Sequence, residues 1–386
     1  MDLNLLQSKF TELFGGKAAN LFFAPGRANL IGEHTDYNGG NVFPCALTFG
    51  TYLLAAKRND DKINFYSLNF PKDGLISTDL KTYKKGADWT NYPKGMLDVM
   101  LKAGAPINSG FDAVYMGNIP NGAGLSSSAS IEVLTGVMLN TFFNCGLDML
   151  QIALLGQKAE NQFVGVNCGI MDQFIIAKGK KDNAVLLDCN SLRYTHVPVV
   201  LKGVSILIAN TNKRRELADS KYNERRGECD GALALLKQKF NIKALCDLTL
   251  EQLESAKDLI PNPVVYKRAR HAVAENARTL KAVDLLKAGE IKAFAKLMDA
   301  SHASLRDDYE VTGKELDAIV AALQKQQGVL GARMMGAGFG GCSIALVEDS
   351  FIEPVKAAVA KEYFEKTGLK ADFYVAGIGD GAGLIK

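Results

Sequence analysis

The chain has little that would mark it as a metal-binding, disulfide-bonded or membrane protein. Its seven cysteines, Cys45, Cys145, Cys168, Cys189, Cys229, Cys246 and Cys342, are odd in number, scattered, and form no CxxC pair. That argues against a zinc site or a disulfide framework and favours a reducing compartment. No apolar run approaches the roughly 20 residues needed to span a bilayer, and MDLNLLQSKF lacks the basic start and long apolar run of a secretory signal. Lys and Arg number 45 against 42 Asp and Glu, a net charge of +3, too even a balance to suggest a dedicated nucleic-acid surface. Among the four histidines, His196, His271 and His302 show no metal-ligand spacing. These absences predict a cytoplasmic protein with neither nucleic acid nor membrane as partner.

What is present is an ordinary globular composition, 47% hydrophobic and 23% charged over 386 residues, a length that suggests two domains. Apolar spacing predicts a helix over 3–14 and a strand through NLFFAPG that ends at Pro25-Gly26. Strands are expected over 46–58, 62–68, 111–117, 183–189 and 204–210, and helices over 91–104, 129–143 and 148–165. From about 215 to 325 the pattern is helical. A glycine-rich loop (331–341), a strand (342–347), a helix (352–366) and a last strand (371–376) close the chain.

Three segments carry chemistry. GRANLIGEHTDYNGG (26–40) gathers Arg27, Asn29, Glu33, His34 and Asp36 between glycines, where a regular helix can hardly form. GNIPNGAGLSSSAS (117–130) sets Gly122 and Gly124 before Ser126, Ser127 and Ser128, just ahead of a helix. A helix start offers free N–H groups and partial positive charge, which suit phosphate. A Walker loop would need a lysine, and a Rossmann fingerprint a glycine at 127, where Ser127 stands. Loop composition alone leaves phosphate binding and a plain serine cap both open. A second loop, GARMMGAGFGGC (331–342), adds five glycines and favours an extended ligand held by backbone, ATP being the economical choice.

Taken together, GRANLIGEHTDY, PNGAGLSSSAS, CGIMDQF (168–174), SHASLRDDYEVT (301–312) and MMGAGFGGC resemble the galactokinase branch of the GHMP small-molecule kinases, over essentially the whole chain. The resemblance implies an α/β (α+β) two-domain GHMP kinase fold. A ribosomal-S5-like domain would occupy 1–195. A ferredoxin-like α+β domain with extra helices would occupy 196–386, with the active site in the cleft between them. It implies transfer of the ATP γ-phosphoryl group to C1 of α-D-galactose, the first committed step of galactose use by the Leloir pathway, in a monomer.

By the same resemblance, Asp172 is the base and Arg27 its partner. Glu33, His34, Thr35, Asp36, Asp172 and Tyr222 hold the sugar. Gly122, Ala123, Gly124, Leu125, Ser126, Ser127 and Ser128 hold the ATP phosphates, with Ser67 and Trp89 at the adenine. Ser128 and Glu160 bind Mg2+. A site that hydrogen-bonds particular hydroxyls rejects analogues lacking them, which explains why so many polar groups crowd one short segment. Two further readings stay open: a kinase for a related sugar such as N-acetylgalactosamine or arabinose, and a non-catalytic galactose and ATP sensor. A nicotinamide oxidoreductase is disfavoured by the missing third glycine.

Overall fold

The computed structural model describes residues 2–16, 19–120, 124–213 and 218–385, with only the backbone of Ala218 and Asp219. The first half contains α1 (Leu3–Phe14), β1 (Asn20–Asn29), β2 (Asn41–Val42), β3 (Pro44–Lys57), β4 (Lys62–Ser67), β5 (Ile76–Asp79), α2 (Asn91–Lys102), β6 (Phe111–Gly117), α3 (Ser127–Phe143), α4 (Met149–Ala159), α5 (Met171–Lys178), β7 (Asn183–Asp188) and β8 (Tyr194–Pro198). The second contains β9 (Val204–Asn210), α6 (Ala218–Leu236), α7 (Leu250–Glu254), α8 (Pro263–Lys287), α9 (Ile291–Asp307), α10 (Gly313–Gln324), β10 (Val329–Met334), β11 (Cys342–Glu348), α11 (Ile352–Thr367), β12 (Asp372–Ala376) and β13 (Gly383–Leu384).

The larger sheet runs β13-β1-β3-β6-β4-β5, and β2, β7 and β8 join it through β3. Only β4 and β6 pair in parallel among the described strands. Helices α2, α3 and α4 cover one face with Met96, Val99, Val133, Leu134, Met138 and Ile152. On the other face, Leu6 and Phe10 of α1 pack against Leu54, Val114 and Met116. The smaller sheet, β10-β11-β9-β12, is antiparallel throughout. Helices α10 and α11 close one face of it with Ile319, Leu323, Val355 and Tyr363. Its other face shares a core with the larger sheet: Ile208, Ile344 and Met298 join Ala28, Leu30, Phe43 and Leu47.

Four local expectations change. The first strand does not stop at Pro25-Gly26. It continues to Asn29 through a register shift between Pro25 and Arg27. Proline has no N–H to give the ladder, so a bulge absorbs it, and Arg27 instead donates its N–H to the Leu125 carbonyl at 3.2 Å. Gly331 to Met334 belong to β10, so the glycine loop begins only at Met335. The helix expected to reach 165 leaves the α form at Ala159 and closes with a π turn over Glu160–Val164, ended by Gly165 at φ 98°. The helix after the serine run starts at Ser127 rather than 129.

The tail adds an element unseen in the sequence. After β12 the chain returns to the larger sheet, where Leu384 and Gly383 pair with Phe22 and Phe23 of β1. A division at 195/196 would fall inside β8, which pairs with β7 from Asn183↔Pro198 to Leu187↔Tyr194. We propose the division at the turn after Pro198 instead, with the tail belonging to the first half.

Candidate active site

Residues from both halves of the chain line a cavity of about 540 Å³. Arg27, Glu33, His34, Asp36, Gly124, Ser126, Ser127, Ser128, Glu160, Asp172 and Tyr222 all contribute to its wall. Gly336 and Ala337 join them, so segments separated by up to 310 residues converge on one space. Gly122 and Ala123 lie outside the described residues.

At its floor Arg27 and Asp172 form a two-pronged pair, Nε to Oδ1 at 2.7 Å and Nη2 to Oδ2 at 3.0 Å. The remaining arm of the guanidinium donates to the Gly124 carbonyl at 2.6 Å, so one side chain ties the first signature to the serine loop and to α5. Burial works against the arginine's charge, but Asp172 and Glu33 outweigh it and hold the guanidinium charged. Such a fork fixes a carboxylate in orientation as well as in charge. The Ser126 hydroxyl also donates to Asp172 Oδ2. Ser126 sits in the left-handed region, φ 62°, and its side chain caps nothing. The cap reading of the serine run therefore fails at this residue: its hydroxyl is spent on Asp172. Backbone held in that region marks a site where geometry outweighs strain.

On the sugar-signature side, Asp36 is crowded by its surroundings. Burial, with the Asp172 charge behind it, pushes its carboxyl up to about 6, against donation from the Tyr37 and Met171 backbone. Gly169 leaves room for it: a Cβ at that position would displace the Asp36 carboxylate. His34 is kept neutral: burial and the neighbouring His271 pull its ring down to about 3. Its Nδ1 is 2.8 Å from the Tyr37 hydroxyl, while its buried Nε2 has no hydrogen bond of good geometry; a looser contact of the ring with the Ala337 backbone opposes the fall.

Glu33 lines the same wall but is already engaged. Its Oε1 accepts from Arg333 Nη2 at 3.0 Å and from the Gly336 N–H at 2.8 Å, and its Oε2 from Asn29 at 2.9 Å. Arg333 is fully buried and gives its other protons to the carbonyls of Asn29, Leu30 and Met334. In the sequence it looks like one more basic residue ahead of a glycine loop. Apart from Met334, its partners lie some 300 positions away, which no local pattern discloses.

Four expected residues face elsewhere. Thr35 is buried and donates to the Gly32 carbonyl at 3.0 Å and the Asn41 carbonyl at 2.7 Å, so it shapes the turn rather than the cavity wall. Leu125 is a core side chain whose carbonyl receives Arg27. Ser67 caps its own turn, accepting from the Asn69 N–H at 3.2 Å. Trp89 packs edge-on to Phe65 and Tyr115 in the core of the first half, its Nε1 buried without a partner. None of these four lines the cavity.

At the opposite end, Glu160 is placed by the π turn, a local form often found at functional sites. Burial and then Asp172 push its carboxyl up to about 7, while Ser128, Gln173 and Cys168 donate to it and oppose the rise. Glu132, one helical turn beyond Ser128, is pushed well above the usual range by burial and by Glu160. Gln173 shares its amide between the two, 3.1 Å from Glu132 and 2.6 Å from Glu160. Neither Glu132 nor Gln173 was legible as a site residue. Among the described residues no group of three or more His, Cys, Asp or Glu is arranged to hold a metal. The oxygen pair Ser128 and Glu160 nonetheless suits Mg2+, a cation that keeps several waters and completes its shell with phosphate.

Known proteins show the same arrangement of segments. Residues 8–57 match the galactokinase galactose-binding signature, 91–180 the GHMP kinases N terminal domain, and 282–366 the GHMP kinases C terminal domain. The chain is 54% identical to a galactokinase of Clostridium acetobutylicum, over 99% of each chain. It is 55% identical to one of Fusobacterium nucleatum, again over 99% of both. Its structure superposes on Lactococcus lactis galactokinase complexed with galactose with a TM-score of 0.97 at 50% identity, covering 99% of this chain and 100% of that one. Methanococcus jannaschii mevalonate kinase shares the fold at 20% identity, with a TM-score of 0.65 over 95% of this chain and 100% of that one. Signature, paired domains and full-length relatives agree, and the chain belongs to the galactokinase branch of the GHMP kinase family.

Proposed function

We propose that this chain transfers the γ-phosphoryl group of ATP to the C1 hydroxyl of α-D-galactose, giving galactose 1-phosphate and ADP. The observation that carries the reading is the Arg27–Asp172 fork at the cavity floor, with polar sugar-signature groups on one side and a helix start bearing serines on the other. Asp172 accepts the C1 proton, and its orientation is set by Arg27 and Ser126. Phosphoryl transfer asks mainly for positioning and charge neutralisation. Arg27 stays charged and lies beside the acceptor, so it can steady the moving phosphoryl group. The N–H groups opening α3, with Ser127 and Ser128, face the phosphates. Ser128 and Glu160 would hold Mg2+, which neutralises charge on the β- and γ-phosphates when bound.

On the sugar, His34 and Asp36 present polar atoms to the cavity, Glu33 offers an edge of a carboxylate already fixed by Arg333, and Tyr222 closes the side. The test is ATP-dependent phosphorylation of galactose in a coupled ADP assay, with glucose and N-acetylgalactosamine alongside. Rapid ADP release with galactose alone is expected. Preference for N-acetylgalactosamine or arabinose would move the assignment to a related sugar kinase. Tight binding of both ligands without ADP release would make the chain a sensor.

A further inference from the structure

The segment SHASLRDDYEVT contributes no residue to the cavity wall, yet one of its side chains lies directly behind it. Tyr309 is fully buried. Its hydroxyl is 2.8 Å from the Tyr37 hydroxyl and 3.1 Å from the Cys229 sulfur. Tyr37 in turn lies 2.8 Å from His34 Nδ1. The rings of Tyr309 and Tyr222 flank His34 at 4.8 and 5.7 Å between centroids. The His34 backbone is held at φ 62°, with its carbonyl fixed by Asn38 at 2.8 Å. A single line of hydrogen bonds therefore runs from Cys229 through Tyr309 and Tyr37 to one nitrogen of His34. The other nitrogen is buried, makes no hydrogen bond of good geometry, and belongs to a ring that lines the cavity beside the Ala337 backbone, its one looser contact.

A neutral imidazole donates from one nitrogen and accepts at the other, and the partner of one fixes the state of the other. Tyr37 has two neighbours and one proton. A phenol is a good donor and a poor acceptor, while imidazole nitrogen is the better acceptor of its two neighbours. The Tyr37 proton goes to Nδ1, and Tyr309 then donates to the Tyr37 oxygen. Cys229, whose thiol is pushed up to about 11 by burial, retains its proton and gives it to Tyr309. Chains of this kind reinforce one another at low local dielectric.

We infer that Tyr37 and Tyr309 are positioning residues for sugar recognition: they lock His34 in the tautomer whose Nε2–H is a donor to an acceptor oxygen of the bound hexose. The inference rests on the galactokinase reading for the identity of that hexose. It assigns a role to the 301–312 segment and makes His34 a donor of fixed direction rather than a general polar contact.

The test uses the full chain with uniformly 15N-labelled histidine. The His34 signals are identified by their loss in His34→Gln. The ligand-free protein should show the Nε2–H tautomer of His34 alone, and Tyr37→Phe should give a mixture of the two. In steady-state assays, Tyr37→Phe and Tyr309→Phe should raise KM for galactose by about two- to tenfold, the worth of one neutral hydrogen bond. KM for ATP should stay within about twofold, since a hydrogen bond to the sugar alone is removed. An Nδ1–H tautomer in the unmodified protein would overturn the inference, and that measurement stands even if a variant fails to fold. So would an unchanged galactose KM in both variants, or a parallel rise in both KM values, which a merely structural role would give. If the unmodified chain phosphorylates no galactose, the reading of the substrate fails instead, while the spectra still decide the tautomer.

Discussion

At the scale of single residues, the site depends on where protons sit. Asp172 is fixed by three donated protons, two from Arg27 and one from Ser126. Asp172→Asn keeps the shape but removes the proton acceptor. Turnover should fall by at least about 10²-fold, the usual contribution of a general base, while galactose binding stays measurable by calorimetry. Near-normal turnover would remove Asp172 from the role of base. Asp36 gives a second residue-scale expectation. Its carboxyl rises from the ordinary 3.8 to about 6 in the fold. The folded chain binds that proton more tightly than the unfolded one, so the group supports the fold below pH 4 and the support is lost as pH rises through 6. The ligand-free protein should lose stability between pH 4 and 7 through this residue, and urea midpoints of Asp36→Asn should show a shallower fall. Equal slopes would mean that Asp36 titrates alike folded and unfolded.

Elements show how much of this was legible. The serine loop, the glycine loop and the signature stand out in the sequence because they spend glycine and polar residues where a core would place apolar ones. Arg27 and the serines therefore stand out from motifs, while Asp172, in CGIMDQF, comes only from the resemblance to galactokinases. The bulge at Pro25, the π turn at Glu160 and the returning strand β13 are not, because each is decided by contacts with distant chain rather than by local preference. Glu132, Gln173 and Arg333 stay hidden for the same reason: a charged or amide residue in a helix or strand looks solvated until its partner is known. The loop after β10 yields an element-scale prediction. Gly338 adopts φ 80°, and a Cβ there would collide with the Val311 carbonyl oxygen. Phe339 donates its N–H to that same carbonyl at 2.7 Å. Gly338→Ala should push the loop off the turn after α9. It should cost more than the roughly 1 kcal/mol of left-handed strain alone and weaken ligand binding with it. A variant of unchanged denaturation midpoint and activity would show that the loop can shift without consequence.

Across the whole molecule, the two sheets are joined by an apolar core and by one buried ion pair within it. Arg333 of β10 reaches Asn29 and Leu30 at the end of β1 and the Glu33 carboxylate beyond them. Both members of the pair are 1% exposed or less. A role confined to the sugar would make Glu33→Ala a pure binding variant, but Arg333 rules that simplicity out. Removing either partner leaves an uncompensated buried charge, which typically costs about 3–5 kcal/mol. Arg333→Met should therefore lose stability of that order and should weaken galactose binding as well, because Glu33 then loses the group that aims it. Replacing both, as Arg333→Met with Glu33→Leu, removes the stranded charge and should regain part of the stability without regaining sugar binding. The measurement is a double-variant cycle on urea unfolding, with calorimetric titration of galactose at each corner. Additive stability losses would mean that the pair does not couple the two sheets. Full sugar affinity in the double variant would mean that the Glu33 carboxylate is dispensable to the ligand, leaving His34, Asp36 and Asp172 to orient it.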